Sequence, residues 1–219
     1  MKRPANKLSV ALVTVFVIFP GMIAGQTITQ TPSFTKRTVA FVADERRSKH
    51  GDLYTPTIGK PGSWPGIVLV HDFRGVTQSI RSEAETLASH GYLVIVVDLY
   101  EGADITSDED GKKRWATLNH RSALTICEGA LGYLQNWSMD PENMGAVGWG
   151  DGGSLVLDMA AAEPTLKAAV DFGGTSSLSG EILHSLARRI LVEAQTVPNE
   201  GLALEFLDAR MKPHSTKSR

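Results

Sequence analysis

Two stretches of this 219-residue chain carry side chains that could do chemistry together. The first is His71-Asp72-Phe73-Arg74-Gly75, which follows the apolar run Gly66 to Val70. A histidine at the end of a buried strand can act as a general base or orient a water. The second is Val147-Gly-Trp-Gly-Asp-Gly-Gly153. Small residues there permit a tight strand-to-helix turn of the kind that thrusts one nucleophilic side chain above a sheet. The turn is present, and the side chain it should present is missing.

Each candidate has a plain reading beside the chemical one. Asp151 could be a carboxylate nucleophile if the turn were shifted by one residue. That shift would displace the backbone N–H groups that stabilise an oxyanion. As the first residue of a helix, Asp151 would instead gain about 0.3–1 kcal/mol from unpaired N–H groups and the helix dipole, with no catalysis implied. His71 is either a base or a hydrogen-bonded histidine that shapes its loop. Asp171 ends another apolar run and could supply an acid or bond to its own loop. Arg81 could hold an anionic ligand or face solvent on a helix. Ser154 belongs to the first turn of a helix. Cys127 is the only cysteine and repeats with Leu124, Leu131 and Leu134 at helical spacing, which marks it as core. His90 and His120 have no partner at metal-ligand spacing, so no metal is expected. No phosphate loop or dinucleotide fingerprint calls for a cofactor.

The elements that must position these residues alternate. Short strands at Thr38–Ala43 and Leu53–Ile58 open the domain as an antiparallel pair. Continuously apolar runs then end in His71, Asp98, Gly148, Phe172 and Ala194, as strands covered on both faces should. Helical patterns lie between them: Ile80 to Ala88, one long helix from about Lys113 to Trp137, Ser154 to Ala162, and Glu181 to Arg188. A last short helix spans Gly201 to Met211. The expected fold class is α/β, a mostly parallel central sheet with helices on both faces and right-handed crossovers. Ligands bind such sheets beyond the carboxyl ends of the strands.

With these elements in place, the chain resembles the dienelactone hydrolase family of the α/β-hydrolase superfamily. The family turn reads Gly, aromatic, Cys, any residue, Gly, Gly, which matches Gly148, Trp149, Gly150, Asp151, Gly152 and Gly153. The likeness runs from Ile67 to Phe172 through His71 to Gly75, Ile80-Arg81, Ala88, Gly91-Tyr92 and Asp98-Leu99-Tyr100. It implies hydrolysis of small esters or lactones, with the family cysteine falling on Gly150 and the family's controlling acid on Asp72. Taken with the readings above, the catalytic candidates are Asp151, His71 and Asp72, and Phe73, Arg81, Trp149 and Gly150 are expected around the ligand. The resemblance also calls for an Asp after a later strand and a His near the C-terminus. Only Glu200 approximates the first, and only His214, on a polar tail, could supply the second. The family's final strand has no counterpart, so a C-terminally shortened fold is expected. Thiol chemistry is then impaired or lost, and the alternative is a non-catalytic binder of a small carboxylate.

Composition sets the remaining bounds. The chain length and 42% hydrophobic residues suit one domain, expected over 38–211, with a polar tail at 212–219. Lys2, Arg3 and Lys7 precede an apolar run from Leu8 to Phe19 and small residues at Ala24 and Gly25, the pattern of a signal peptide over 1–25. Pro20 and Gly21 interrupt the run short of the roughly 20 residues that span a bilayer, so no stable span is expected after cleavage. Residues 26–37 are rich in Thr, Ser and Gln and read as a flexible leader. The protein is thus expected to be exported, periplasmic or secreted. Without its first 25 residues it carries a net charge of about −5, which gives no reason to expect nucleic acid. The partner expected is a small ester, lactone or carboxylate, and an uncovered sheet edge offers a route to oligomers.

Overall fold

A computed structural model of the chain describes residues 33–44, 47–193 and 200–212. The expected signal peptide, most of the expected leader and the tail beyond Lys212 lie outside the described residues. The sheet opens with a hairpin, β1 (Phe34–Asp44) and β2 (Arg47–Pro56), paired antiparallel from Phe34 opposite Pro56 to Asp44 opposite Arg47. Both strands begin earlier than the sequence pattern indicates. Residues 34–37 and 47–52 pair through backbone groups, and the polar side chains among them carry no apolar alternation to reveal it. The expected leader therefore loses residues 34–37 to β1, and the strand expected at Leu53–Ile58 ends at Pro56.

The apolar runs form β3 (Gly66–Val70), β4 (Leu93–Val97), β5 (Met144–Trp149), β6 (Ala168–Phe172) and β7 (Ile190–Glu193), all parallel to one another. Strand order is β1-β2-β4-β3-β5-β6-β7, with β2 antiparallel to β4. Every residue of β3, β4 and β6 is buried, which is why these segments read as apolar runs, broken only by Asp171 in β6. Successive side chains serve opposite faces. Val68 and Val70 pack towards α3 (His120–Trp137) and α4 (Asp151–Ala162), and Ile67 and Leu69 towards α1 (Gln78–Ser89) and α6 (Glu200–Met211). A short helix, α5 (Gly180–Leu186), precedes β7. No described helix is long and apolar enough to cross a membrane.

The long helix expected from Lys113 to Trp137 is two helices, α2 (Asp108–Thr117) and α3. Leu118 is extended, and Asn119 caps α3 by accepting the Ser122 N–H at 3.0 Å. Apolar spacing missed the break because α2 buries only Gly111 and so carries no periodic signal of its own. The helix expected from Ser154 begins at Asp151 instead, directly after the turn. The cap gives a test by sign. Asn119→Ala removes a capping acceptor and is expected to lower the unfolding free energy by about 1 kcal/mol. In a continuous helix the same change would raise helix propensity and stabilise. Urea denaturation followed by circular dichroism distinguishes the two.

Candidate active site

The site is built on the junction between β5 and α4. Gly150 stands there with φ 50° and ψ −121°, a conformation that a residue with a β-carbon adopts only at a cost. Its N–H donates to the Phe172 carbonyl at 2.8 Å, which ties the turn to β6. The following glycines let α4 sit against the strand ends. A β-carbon on Gly152 would strike the carbonyls of Val70 and His71, and one on Gly153 would strike the Asp171 carboxyl. At Gly150 itself the space is open: an added β-carbon would meet the Asp72 β-carbon at 3.5 Å, an ordinary contact. The turn is intact and the volume of its missing side chain borders Asp72.

Asp72 is clamped from one side. Its Oδ1 accepts the Arg74 N–H at 2.8 Å and its Oδ2 accepts Arg74 Nη1 at 2.9 Å. The same guanidinium donates from Nε and Nη2 to the two Asp108 oxygens at 3.0 Å each, so the start of α2 is fastened to the loop after β3. This fork-to-fork pairing is the stronger kind of ion pair, and it holds Asp108 below the usual carboxylate range. Phe73 lies between Arg74 and Lys112, whose cationic centres stand 4.4 and 5.4 Å from its ring. Its carbonyl accepts the Tyr100 hydroxyl at 3.0 Å. Burial pushes the Tyr100 phenol up to about 12, with the charges of Asp72 and Asp151 adding to the effect. The Asp151 carboxyl is likewise raised, by burial first and by Asp72 second, against the pull of its own backbone N–H. Asp72, Tyr100 and Asp151 thus share one electrostatic neighbourhood around Gly150.

His71 is fully buried, and both ring nitrogens are taken. Nε2 accepts the Leu99 N–H at 3.1 Å, so Nδ1 carries the proton and donates to the Asp72 carbonyl at 2.6 Å. The ring rests against Tyr100 at 4.9 Å and Trp115 at 6.3 Å. Burial depresses its pKa and keeps it neutral. With neither nitrogen free, it binds the loop after β3 to the loop after β4 and is not placed to move a substrate proton.

Arg81 is paired with β2. Its Nη1 donates to Asp52 Oδ2 at 2.6 Å, drawing the guanidinium towards β2. It lines a cleft of about 340 Å³ with His50, Asp52, Asp98 and Glu101, a cleft whose walls do not include Trp149, Gly150 or Asp151. Trp149 stacks on Phe172 with centroids 5.3 Å apart and supports the turn from beneath. Ser154 exchanges hydrogen bonds with Thr175, and the buried Cys127 thiol is pushed up to about 12. Glu200 begins α6, and His214 lies outside the described residues. Sequence reasoning missed Arg74, Asp108, Tyr100 and Trp115. The Asp72-x-Arg74 pair and the acidic run 108–110 were a signal, but 34 residues separate Arg74 from Asp108 and only the fold joins them.

Asp171 sits below the turn, fully buried, with Oδ1 accepting the Gly174 N–H at 2.8 Å and Oδ2 without a partner among the described residues. Burial raises its pKa above the unfolded value of about 3.9. A raised acid favours the folded state below its unfolded pKa, and that contribution is lost as pH rises through the folded value. Asp171→Asn keeps an acceptor for Gly174 and cannot ionise. Its unfolding free energy relative to wild type is therefore expected to grow as pH rises from about 4 and then level off. Urea titrations across this range check it, and a difference that stays flat with pH would contradict a raised Asp171.

Comparison with known proteins agrees with this fold. A Synechocystis sp. protein carrying the name carboxymethylenebutenolidase is 27% identical over 148 residues, covering 64% of this chain and 59% of its own. A bis(hydroxyethyl) terephthalate hydrolase of Streptomyces coelicolor is 27% identical over 55% of this chain and 36% of its own. The chain thus spans less than two thirds of these curated relatives. Among solved structures, a dienelactone hydrolase-like promiscuous phosphotriesterase from metagenomic libraries shares the fold, with a TM-score of 0.61, 20% identity, and coverage of 81% of this chain and 77% of the other. The dienelactone hydrolase family model matches residues 51–194, two thirds of the sequence and the whole of the turn, and the chain belongs to that family.

Proposed function

We propose that this protein hydrolyses small esters or lactones slowly, with water in place of a thiol as the attacking group. The observation that carries the reading is Gly150: the turn keeps its strained geometry, and the volume beside Asp72 is open. A substrate carbonyl set against the first turn of α4 faces the Asp151 N–H and the loop after β3, the two places from which such a turn draws its oxyanion donors. Water occupying the open volume attacks the carbonyl carbon. The Asp151 carboxylate, with its raised proton affinity, accepts the proton that water loses and returns it to the leaving alkoxide as the C–O bond breaks. Asp72, fixed by Arg74, orients the water. A hole and binding contacts without a complete triad leave about 10³–10⁴-fold acceleration over water, so turnover is weak. Relatives named as a carboxymethylenebutenolidase and a terephthalate-ester hydrolase support the substrate class. We also read residues 1–25 as an export signal, which places the activity outside the cytoplasm.

The second reading is a non-catalytic binder of a carboxylate. The N-terminus of α4 favours it, because helix starts attract anions. Asp72 and Asp151 oppose it, since both set negative charge beside that terminus. Hydrolysis of an aryl ester and a dienelactone by wild type, Asp151→Ala and Gly150→Cys separates the readings. Wild type is expected above background, with a rate that rises as pH passes the raised Asp151 value. Asp151→Ala is expected to lose about 10²-fold or more. Gly150→Cys is expected to restore little, because His71 has no free nitrogen to activate a thiol. An inert wild type that binds the carboxylate product would overturn the hydrolytic reading in favour of the binder.

A further inference from the structure

The carboxyl end of the sheet holds a second concavity that the chemistry at Gly150 does not use. It is the cleft of about 340 Å³ beside Arg81, and a hollow of about 280 Å³ adjoins it, with Val76, Arg81, Asp98 and Gly102 in the walls of both. Strand register explains its place. β2 runs antiparallel to β4 with Gly51 opposite Val97, so His50 lies past the end of β4, where Asp98 and Glu101 follow. Ligands of such sheets bind beyond the carboxyl ends of the strands, and the volume suits a small molecule.

The walls select the chemistry of the ligand. Their charges are already matched: Arg81 Nη1 and Lys36 Nζ reach Asp52 Oδ2 at 2.6 and 2.8 Å, and Lys49 pairs with Glu101. An anion drawn to Arg81 would meet the carboxylates of Asp52, Asp98 and Glu101, and a cation drawn to those would meet Arg81. Hydrogen-bonding capacity is nevertheless left over. Arg81 Nε and Nη2 and the His50 ring have no protein partner among the described residues. The two Asp98 oxygens accept one backbone N–H each, from Tyr100 and Gly102, and each keeps a second lone pair. Arginine only donates and a carboxylate only accepts, whereas a hydroxyl does both. A ligand with several hydroxyls and no charge therefore fits between them, with Val76 and Val96 as apolar wall for its C–H groups. Glu101 adds an independent sign. At φ 57° it is the one non-glycine among the described residues in the left-handed region, where glycine would sit without strain. The chain keeps a carboxylate on this wall although the backbone there is strained. We propose that this cleft binds a small neutral polyol, a monosaccharide or its alcohol, held by Arg81 and Asp98 at a site separate from the turn at Gly150.

The test titrates the full chain, isotope-labelled at its valine methyls, with D-glucose, and compares wild type with Arg81→Lys and Glu101→Gly by nuclear magnetic resonance. Arg81→Lys keeps a cation facing Asp52 and removes the spare donors of the guanidinium fork. Glu101→Gly removes the carboxylate together with the strain, so it is expected to fold. Wild type is expected to saturate with a Kd on the order of 1 mM, the strength open to a neutral ligand of this size. The Val76 and Val96 methyls are expected to shift while Val147, in β5, stays in place. Each variant is expected to bind about tenfold more weakly. Circular dichroism reports whether the variants fold, and the wild-type shifts decide the matter if they do not. A wild type without saturable shifts would overturn the proposal, and so would saturation that leaves Val76 and Val96 unmoved. Undiminished binding by both folded variants would also overturn it. Shifts at Val76 and Val96 with sodium acetate or methylammonium chloride, but not with glucose, would assign the cleft to a charged ligand instead.

Discussion

Everything at the carboxyl end of this sheet depends on how closely α4 approaches β3 and β6. Gly152 lies against the carbonyls of Val70 and His71, and Gly153 against Asp171, with no room for a β-carbon at either. That approach forces the chain to reverse over one residue, and the reversal places Gly150 in a conformation that L-residues avoid. The N–H groups at the start of α4 consequently point out of the sheet beside the loop after β3. The same packing buries Asp171 beneath the turn and raises its proton affinity. Geometry and electrostatics at the site are two results of one steric constraint.

A second layer of order comes from polar contacts between loops. His71 joins the loops after β3 and β4 by donating through one nitrogen and accepting through the other. Asp98 folds the second loop on itself by accepting the Tyr100 and Gly102 N–H groups at 2.8 and 2.6 Å. Arg74 then ties the first loop to α2. Buried backbone groups in these loops would otherwise lack partners, at roughly 1–3 kcal/mol each. A histidine fully spent on that task serves structure, whatever its position near a reactive turn suggests.

The sheet was legible in the sequence because burial on both faces writes strands as unbroken apolar runs, as in Val68 to Val70 and Leu93 to Val97. The turn was legible because glycines at 148, 150, 152 and 153 have few other uses together. Where side chains are polar the record fades: residues 34–37 and 47–52 carry no apolar alternation although Lys36 and Asp52 pair across the hairpin at 2.8 Å, and α2 offers no apolar stripe to set it apart from α3. The pairing of Arg81 with Asp52, on a distant strand, likewise leaves no trace in local spacing. The clamp of Asp72, Arg74 and Asp108 needed the fold, since pairing across long sequence distances leaves no periodicity.

Glycine at position 150 also eases the turn. A side chain there must be held at positive φ, and such strain costs on the order of 1–3 kcal/mol that the surroundings have to offset. Glycine relieves that strain while leaving the approach of α4, the Phe172 hydrogen bond and the loops at β3 and β4 as they are. On the proposed reading, glycine in place of the family cysteine would favour the fold at the expense of thiol chemistry, a trade of the kind that strained reactive positions invite. On that reading a histidine that deprotonates a thiol and an aspartate that orients the histidine would have nothing to act on. What remains under physical constraint is the turn, its N–H groups and the acids beside it, because those hold the sheet's carboxyl end together whether or not a bond is broken there.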